Sequence, residues 1–244
     1  MMDMNADGRS LIDFFENHKH RLIHKWMHYF EIYERHFSKF RNKPLSLIEF
    51  GVLHGGSLQM WKYYFGLQAK IYGVDIDPRC ATLAEEHITI LLGDQESRES
   101  LRGIKNSLPK FDIIIDDGGH TMMQQIITFE EMYEHLKDGG IYLCEDLHTS
   151  YWPGHFGGGY RNPDTFIEYS KYLIDQLNAW YSQDANFVVD EFTRSAFSMH
   201  YYDSILVIEK RPISVPVARM KGKPSFPLNA AEQAVYDKSL SLAL

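Results

Sequence analysis

The hydrophobic pattern changes period along the chain. From residue 11 to 42 apolar positions recur at steps of four and three. Trp26, Phe30, Tyr33, Phe37 and Phe40 form one stripe, which predicts a helix closed by "NKP" at 42–44. Beyond it, short apolar runs alternate with amphipathic stretches. Strands are predicted at 45–50 (LSLIEF), 69–76, 88–94, 111–117 (FDIIIDD) and 139–146 (GGIYLCED). Helices are predicted at 57–65, 78–87, 97–108 and 122–136. Strand-helix alternation of this kind implies right-handed βαβ units and a parallel sheet, and near-continuous apolar strands imply helices on both faces. A glycine- and aromatic-rich loop (147–163) and a helix (164–182) follow. Runs at 186–192 and 204–211 predict an antiparallel edge pair, so the expected α/β sheet has seven strands, mostly parallel. The expected division is a helical cap at 1–44, an α/β domain at 45–211 and an extended proline-rich tail at 212–244.

Composition narrows the function classes. The 244 residues are 44% hydrophobic and 24% charged, the balance of a globular protein. A formal charge of −8 argues against nucleic acid as partner. No apolar run reaches the roughly 18 residues of a membrane span, and "MMDMNADGRS" does not read as a secretory signal. Cys80 and Cys144 lie in separate apolar stretches and read as buried thiols, so a cytoplasmic protein is expected.

Chemistry concentrates where strands end. "IEFGVLHGGSLQMW" (48–61) joins the first strand to a helix. Gly51, Gly55 and Gly56 would let the backbone approach a ligand, and Ser57 would open the helix with free N–H groups. Glu49 leads the pattern acid-x-Gly-x-x-x-Gly-Gly-Ser, which lacks the G-x-G-x-x-G spacing of dinucleotide enzymes. It resembles the looser loop of class I S-adenosylmethionine-dependent methyltransferases, which implies their Rossmann-like fold. Asp75 ends the second strand, where a carboxylate can accept ribose hydroxyls, with Asp77 as a nearby rival. Asp94 and Gln95 end the third, where the family contacts the adenine amino group.

The fourth strand ends in Asp116, Asp117 and, three residues on, His120; the fifth ends in Glu145 and Asp146. In a class I methyltransferase sheet these strands are neighbours, about 4.8 Å apart. Carboxylates converging there would repel one another unless a hard cation joined them, and all-oxygen ligation suits Mg²⁺ or another divalent ion. Asp116 reads as a residue that orients the turn on the cofactor side, not as a metal ligand.

"DDGGH" with "CEDLHTSYWPG" resembles the macrocin and mycinamicin type of sugar O-methyltransferase, and the related rhamnosyl O-methyltransferase and cephalosporin-hydroxylase-type proteins, over about residues 20–210. That resemblance implies a metal held by Asp117, Glu145 and Asp146, His120 as general base, and S-adenosylmethionine as methyl donor. Gly119 departs from the serine more usual before that histidine. Tyr151 and Trp152 are candidate substrate residues, with His148, His155, His28, Tyr29 and Tyr33 as weaker ones. The expected partners are a small-molecule or glycoside acceptor and a second copy of the chain. A catechol-like phenol acceptor, or a cofactor-binding accessory subunit of a hydroxylase assembly, are the competing readings.

Overall fold

The structure is a computed structural model that describes residues 10–241. These residues fall into two compact units, one ending at Pro212 and the other starting at Ile213.

The first unit is built on a seven-stranded sheet. Its strands are β1 (Leu45–Phe50), β2 (Ala69–Asp75), β3 (Ile88–Leu92), β4 (Phe111–Asp116), β5 (Leu136–Cys144), β6 (Ala196–Tyr202) and β7 (Ile205–Lys210). The order is β3-β2-β1-β4-β5-β7-β6, with β7 antiparallel to both neighbours and the first five strands parallel. β1 is buried at every position, as a central strand covered on both faces must be. The strand order reverses between β1 and β4, and open α/β sheets bind ligands at that crevice.

Helices cover both faces. On one side α1 (Leu11–Asn17), α2 (Tyr29–Phe37) and α3 (Gly56–Phe65) share a core in which Tyr33 meets Trp61 edge to face at 5.1 Å. On the other lie α4 (Arg98–Ser107), α5 (Met122–Met132), α6 (Phe166–Leu177) and the short α7 (Glu191–Ser195). The N-terminal helices thus form a layer of the main unit, and Tyr29, Phe30, Tyr33 and Phe37 are buried in its core.

Four sequence expectations are corrected. The helix expected over 11–42 is broken between α1 and α2, because residues 18–28 spend their polar groups elsewhere: Arg21 donates to the Leu83 carbonyl at 2.8 Å and Lys25 reaches the sheet edge. The segment expected as a helix at 78–87 is a 3-10 turn, Pro78–Leu83, capped by Asp77. Residues 186–192 are not a strand; Asp190 and Thr193 form a reciprocal cap that starts α7, and the edge strand is the next segment, 196–202. In the second unit the tail is not extended throughout. It carries α8 (Ala230–Ser241), which folds back so that the Tyr236 hydroxyl donates to the Gly222 carbonyl at 2.6 Å.

Candidate active site

Register brings the acidic residues level. Val74 pairs with Phe50, Phe50 with Asp116, and Asp116 with Cys144. The next residue of each strand, Asp75, Gly51, Asp117 and Glu145, therefore leaves the sheet at one edge. Gly51 has φ +95°, and a Cβ there would strike the Asp117 carbonyl, so the first and fourth loops touch backbone to backbone. Over this edge opens a cavity of about 420 Å³. The loops after β1 to β5 line one side, and Leu22 to Trp26 with Tyr29 line the other.

On the nucleoside side, Asp75 Oδ2 accepts the backbone N–H groups of Val52 (2.8 Å) and Leu53 (3.1 Å), which fixes the glycine loop. Asp75, Asp94, Gln95, Gly51 and Ser57 line the cavity. Asp77 does not; it is tied up by Arg79. Gly55 and Gly56 do not line it either. A Cβ on Gly56 would strike the carbonyls of Arg21 and Leu22, so the close approach expected there of a ligand is made by the chain itself. Asp116 is buried against Gln95 and Tyr142, away from the cavity, and burial pushes its carboxyl up to about 7.

At the acidic end, His120 sits in left-handed backbone (φ +56°) just before Thr121, whose reciprocal cap with Gln124 fixes the start of α5. Its Nε2 lies 3.4 Å from Asp146 Oδ2 and 3.9 Å from Asp117 Oδ1, while its Nδ1 is buried with no hydrogen-bond partner. One atom each from Asp117, His120 and Asp146 lie within 4.8 Å of one another. Asp146 is steadied by the Tyr29 hydroxyl at 2.7 Å.

Glu145 lines the same cavity but is held by a second set of partners. It is buried and accepts the Tyr33 hydroxyl at 2.7 Å and the Lys25 ammonium at 3.0 Å through both oxygens. Lys25 also contacts Asp117 and, at 3.4 Å, Glu49, whose second oxygen accepts the Ser57 hydroxyl at 2.7 Å. Burial would lower the Lys25 pKa, but Asp117 and Glu145 outweigh it and hold the group firmly charged. Three carboxylates surround one ammonium, so burial and the surplus negative charge push Glu49 and Glu145 upward. Lys25 is the site residue that the sequence reading missed. Its signal was the unbalanced charge of the strand ends, which requires a cation from somewhere.

Tyr151 and Trp152 stay outside the cavity and are half-exposed. Trp152 stacks edge-on against His148 at 4.6 Å, and His148 in turn against Trp26 at 5.8 Å, so an aromatic row runs from the cavity wall to the loop.

Comparison with known proteins agrees with this geometry. Residues 48–147 match the family model described as a methyltransferase domain. The chain is 34% identical over 75% of its length to the 8-demethyl-8-alpha-L-rhamnosyl tetracenomycin-C 2'-O-methyltransferase of Streptomyces olivaceus, covering 50% of that protein. It is 34% identical over 78% of its length to the demethylmacrocin O-methyltransferase of Streptomyces fradiae, covering 51% of it. It thus spans about half the length of the curated relatives it matches. Among solved structures, the MycE methyltransferase from the mycinamycin biosynthetic pathway, in complex with Mg, SAH and mycinamycin VI, superposes with a TM-score of 0.73. That match has 30% identity and covers 94% of this chain and 58% of the other. Residues 48–147, which carry the glycine loop and both acidic strand ends, form a methyltransferase domain of the Rossmann-like type, and the chain around it resembles the sugar O-methyltransferases of natural-product pathways.

Proposed function

We propose that this protein transfers a methyl group from S-adenosylmethionine to a hydroxyl on a sugar of a natural-product glycoside or glycan, with a divalent cation, Mg²⁺ by preference. The observation that carries the reading is the meeting of Asp117, His120 and Asp146 beside a cavity whose far end is lined by Asp75, Asp94 and Gln95. The ligands of the MycE structure, Mg, SAH and mycinamycin VI, support the same assignment.

The residues suit both groups. Carboxylate oxygens are the donor set of a hard cation, and the His120 imidazole beside them, its Nδ1 unpartnered, is a group set for more than packing and is left to act as base. Asp117 and Asp146 are the primary ligands in this reading. Glu145, the third ligand implied by the family resemblance, joins them only by giving up part of its bond to Lys25. A bound divalent ion polarises an acceptor hydroxyl, whose pKa is otherwise near that of water, about 15.7. The sulfonium of S-adenosylmethionine supplies an activated methyl group.

The chain's own residues do the rest. Asp75 offers a carboxylate to ribose hydroxyls, and Asp94 and Gln95 offer acceptors to the adenine end. His120 takes the acceptor proton at Nε2, where Asp117 and Asp146 stabilise the imidazolium that forms. Residues 22–26 and Tyr29 line the cavity wall opposite the strand ends. Trp152 and Tyr151 present aromatic faces for an acceptor ring. Among the described residues no helix is long and apolar enough to cross a membrane.

The test is calorimetric titration of S-adenosylhomocysteine into metal-stripped protein, followed by methyl-transfer assays on sugar-bearing and phenolic acceptors with and without Mg²⁺. Micromolar binding and Mg²⁺-dependent methylation of a glycoside are expected. Failure to bind S-adenosylhomocysteine would overturn the assignment.

A further inference from the structure

A second group of metal-ligating side chains lies outside this site. His36 on α2, His200 on β6 and Glu209 on β7 offer one ligand atom each, all within 4.8 Å of one another. Sheet register explains the meeting. Ser198 pairs with Glu209 across the β6–β7 ladder, and His200, two residues on, projects from the same face. That face carries Ile205 and Val207 into the core shared with α2, which brings His36 over it.

The separations match a single ion. His36 Nδ1 and His200 Nε2 lie 3.6 and 3.7 Å from the same oxygen, Glu209 Oε1. Two ligands each about 2.1 Å from a tetrahedral ion are about 3.4 Å apart. Neither distance makes a hydrogen bond. The Tyr202 hydroxyl holds His36 Nε2 at 2.9 Å, which leaves Nδ1 toward Glu209, the arrangement of a metal-ligating histidine whose other nitrogen is anchored. Ser198 Oγ lies 2.9 Å from His200 Nε2 at the more exposed rim, where it can turn aside or act as a fourth donor.

We propose that His36, His200 and Glu209 form a second metal site, for a borderline divalent cation of the Zn²⁺ class, with a clasping role. The ion would tie α2 to the edge strands. α2 also carries Tyr29 and Tyr33, which hold Asp146 and Glu145, so the clasp would steady the wall of the catalytic cavity from behind. Two imidazoles and one carboxylate suit Zn²⁺ and not Mg²⁺, which separates this site from the oxygen-rich one.

The experiment is titration of Zn²⁺ into the metal-stripped full chain in excess Mg²⁺, read by calorimetry and by thermal melting. One Zn²⁺ per chain and a raised Tm are expected. His200→Ala and Glu209→Gln, both at partly exposed positions, are each expected to weaken Zn²⁺ binding about tenfold or more and to abolish the rise in Tm. Unchanged Zn²⁺ affinity in both variants, or no Zn²⁺ binding by the unaltered chain, would overturn the proposal. Asp146→Asn, which alters the acidic site, is expected to leave the Zn²⁺-dependent rise in Tm in place; its loss there would assign the ion to the acidic site instead.

Discussion

Lys25 donates to both carboxylate oxygens of Glu145 at 3.0 Å, joining residues 120 positions apart in sequence. The ammonium stands among Glu145, Asp117 and Glu49, where it balances charge that would otherwise be buried unpaired. Removing one partner of a buried ion pair costs about 3–5 kcal/mol. Lys25→Met should lose about that much in metal-free buffer and recover part of it in Mg²⁺, because the cation takes over the balancing role. Urea denaturation with and without Mg²⁺ measures this, and a variant as stable as the parent would contradict it.

His120→Ala should lower turnover by about 10²–10⁴-fold, the usual worth of a positioned general base. Affinity for S-adenosylhomocysteine should stay within error, since His120 stands at the acidic end of the cavity. Equal loss of binding and turnover would remove the histidine from the role of base.

Asp116 gives a pH signature. Burial raises its carboxyl to about 7, well above the ordinary carboxylate range of about 4. An acid raised on folding binds its proton more tightly in the native state. It therefore costs nothing below its unfolded pKa, and stability is lost as pH climbs from about 4 to 7. The loss has an upper limit of roughly 4 kcal/mol, at 1.36 kcal/mol per pH unit. Asp116→Asn keeps the shape, and its stability should fall less than the parent's over that range. Parallel profiles from denaturation at pH 4.5 and 7.5 would show that Asp116 is not buried as a raised acid.

Gly51→Ala should be more damaging than an ordinary surface substitution. The added carbon meets the Asp117 carbonyl, and φ of +95° disfavours any side chain. The fourth loop must then move, carrying Asp117 with it. Loss of both S-adenosylhomocysteine and Mg²⁺ affinity is expected in calorimetry. A variant that keeps both would show that the two loops tolerate separation.

Trp152→Ala should raise KM for a glycoside acceptor and leave S-adenosylhomocysteine binding alone, because Trp152 stands at the outer end of the Trp26–His148–Trp152 row. Unchanged KM across several acceptors would remove the row from the acceptor path.

The parallel core was legible because β1, β2, β4 and the Ile141–Cys144 end of β5 are mostly apolar and end in turn residues, and the strand ends named the acids. β6 was missed because "AFSMHYY" sets Ser198, His200 and Tyr202 on one face, a polar pattern that resembles a loop until α2 is seen packing over it. Lys25 was missed for a related reason. It sits in a run with helical spacing, "HKWMHYFEIYERHF", and only the tertiary fold turns 18–28 away from a helix toward the sheet edge. Local pattern reports which face of an element is buried, not which distant charge a buried lysine answers.

The segment between α1 and α2 has a kinetic consequence. Its carbonyls at Arg21 and Leu22 rest on Gly56, Arg21 is latched to the Leu83 carbonyl, and Leu22 to Trp26 roof the cavity. A molecule of nucleoside size bound beneath this roof is contacted by a segment that the Arg21 latch holds in place. Association should therefore run slower than diffusion allows, and the bound lifetime should track how often the Arg21 latch opens.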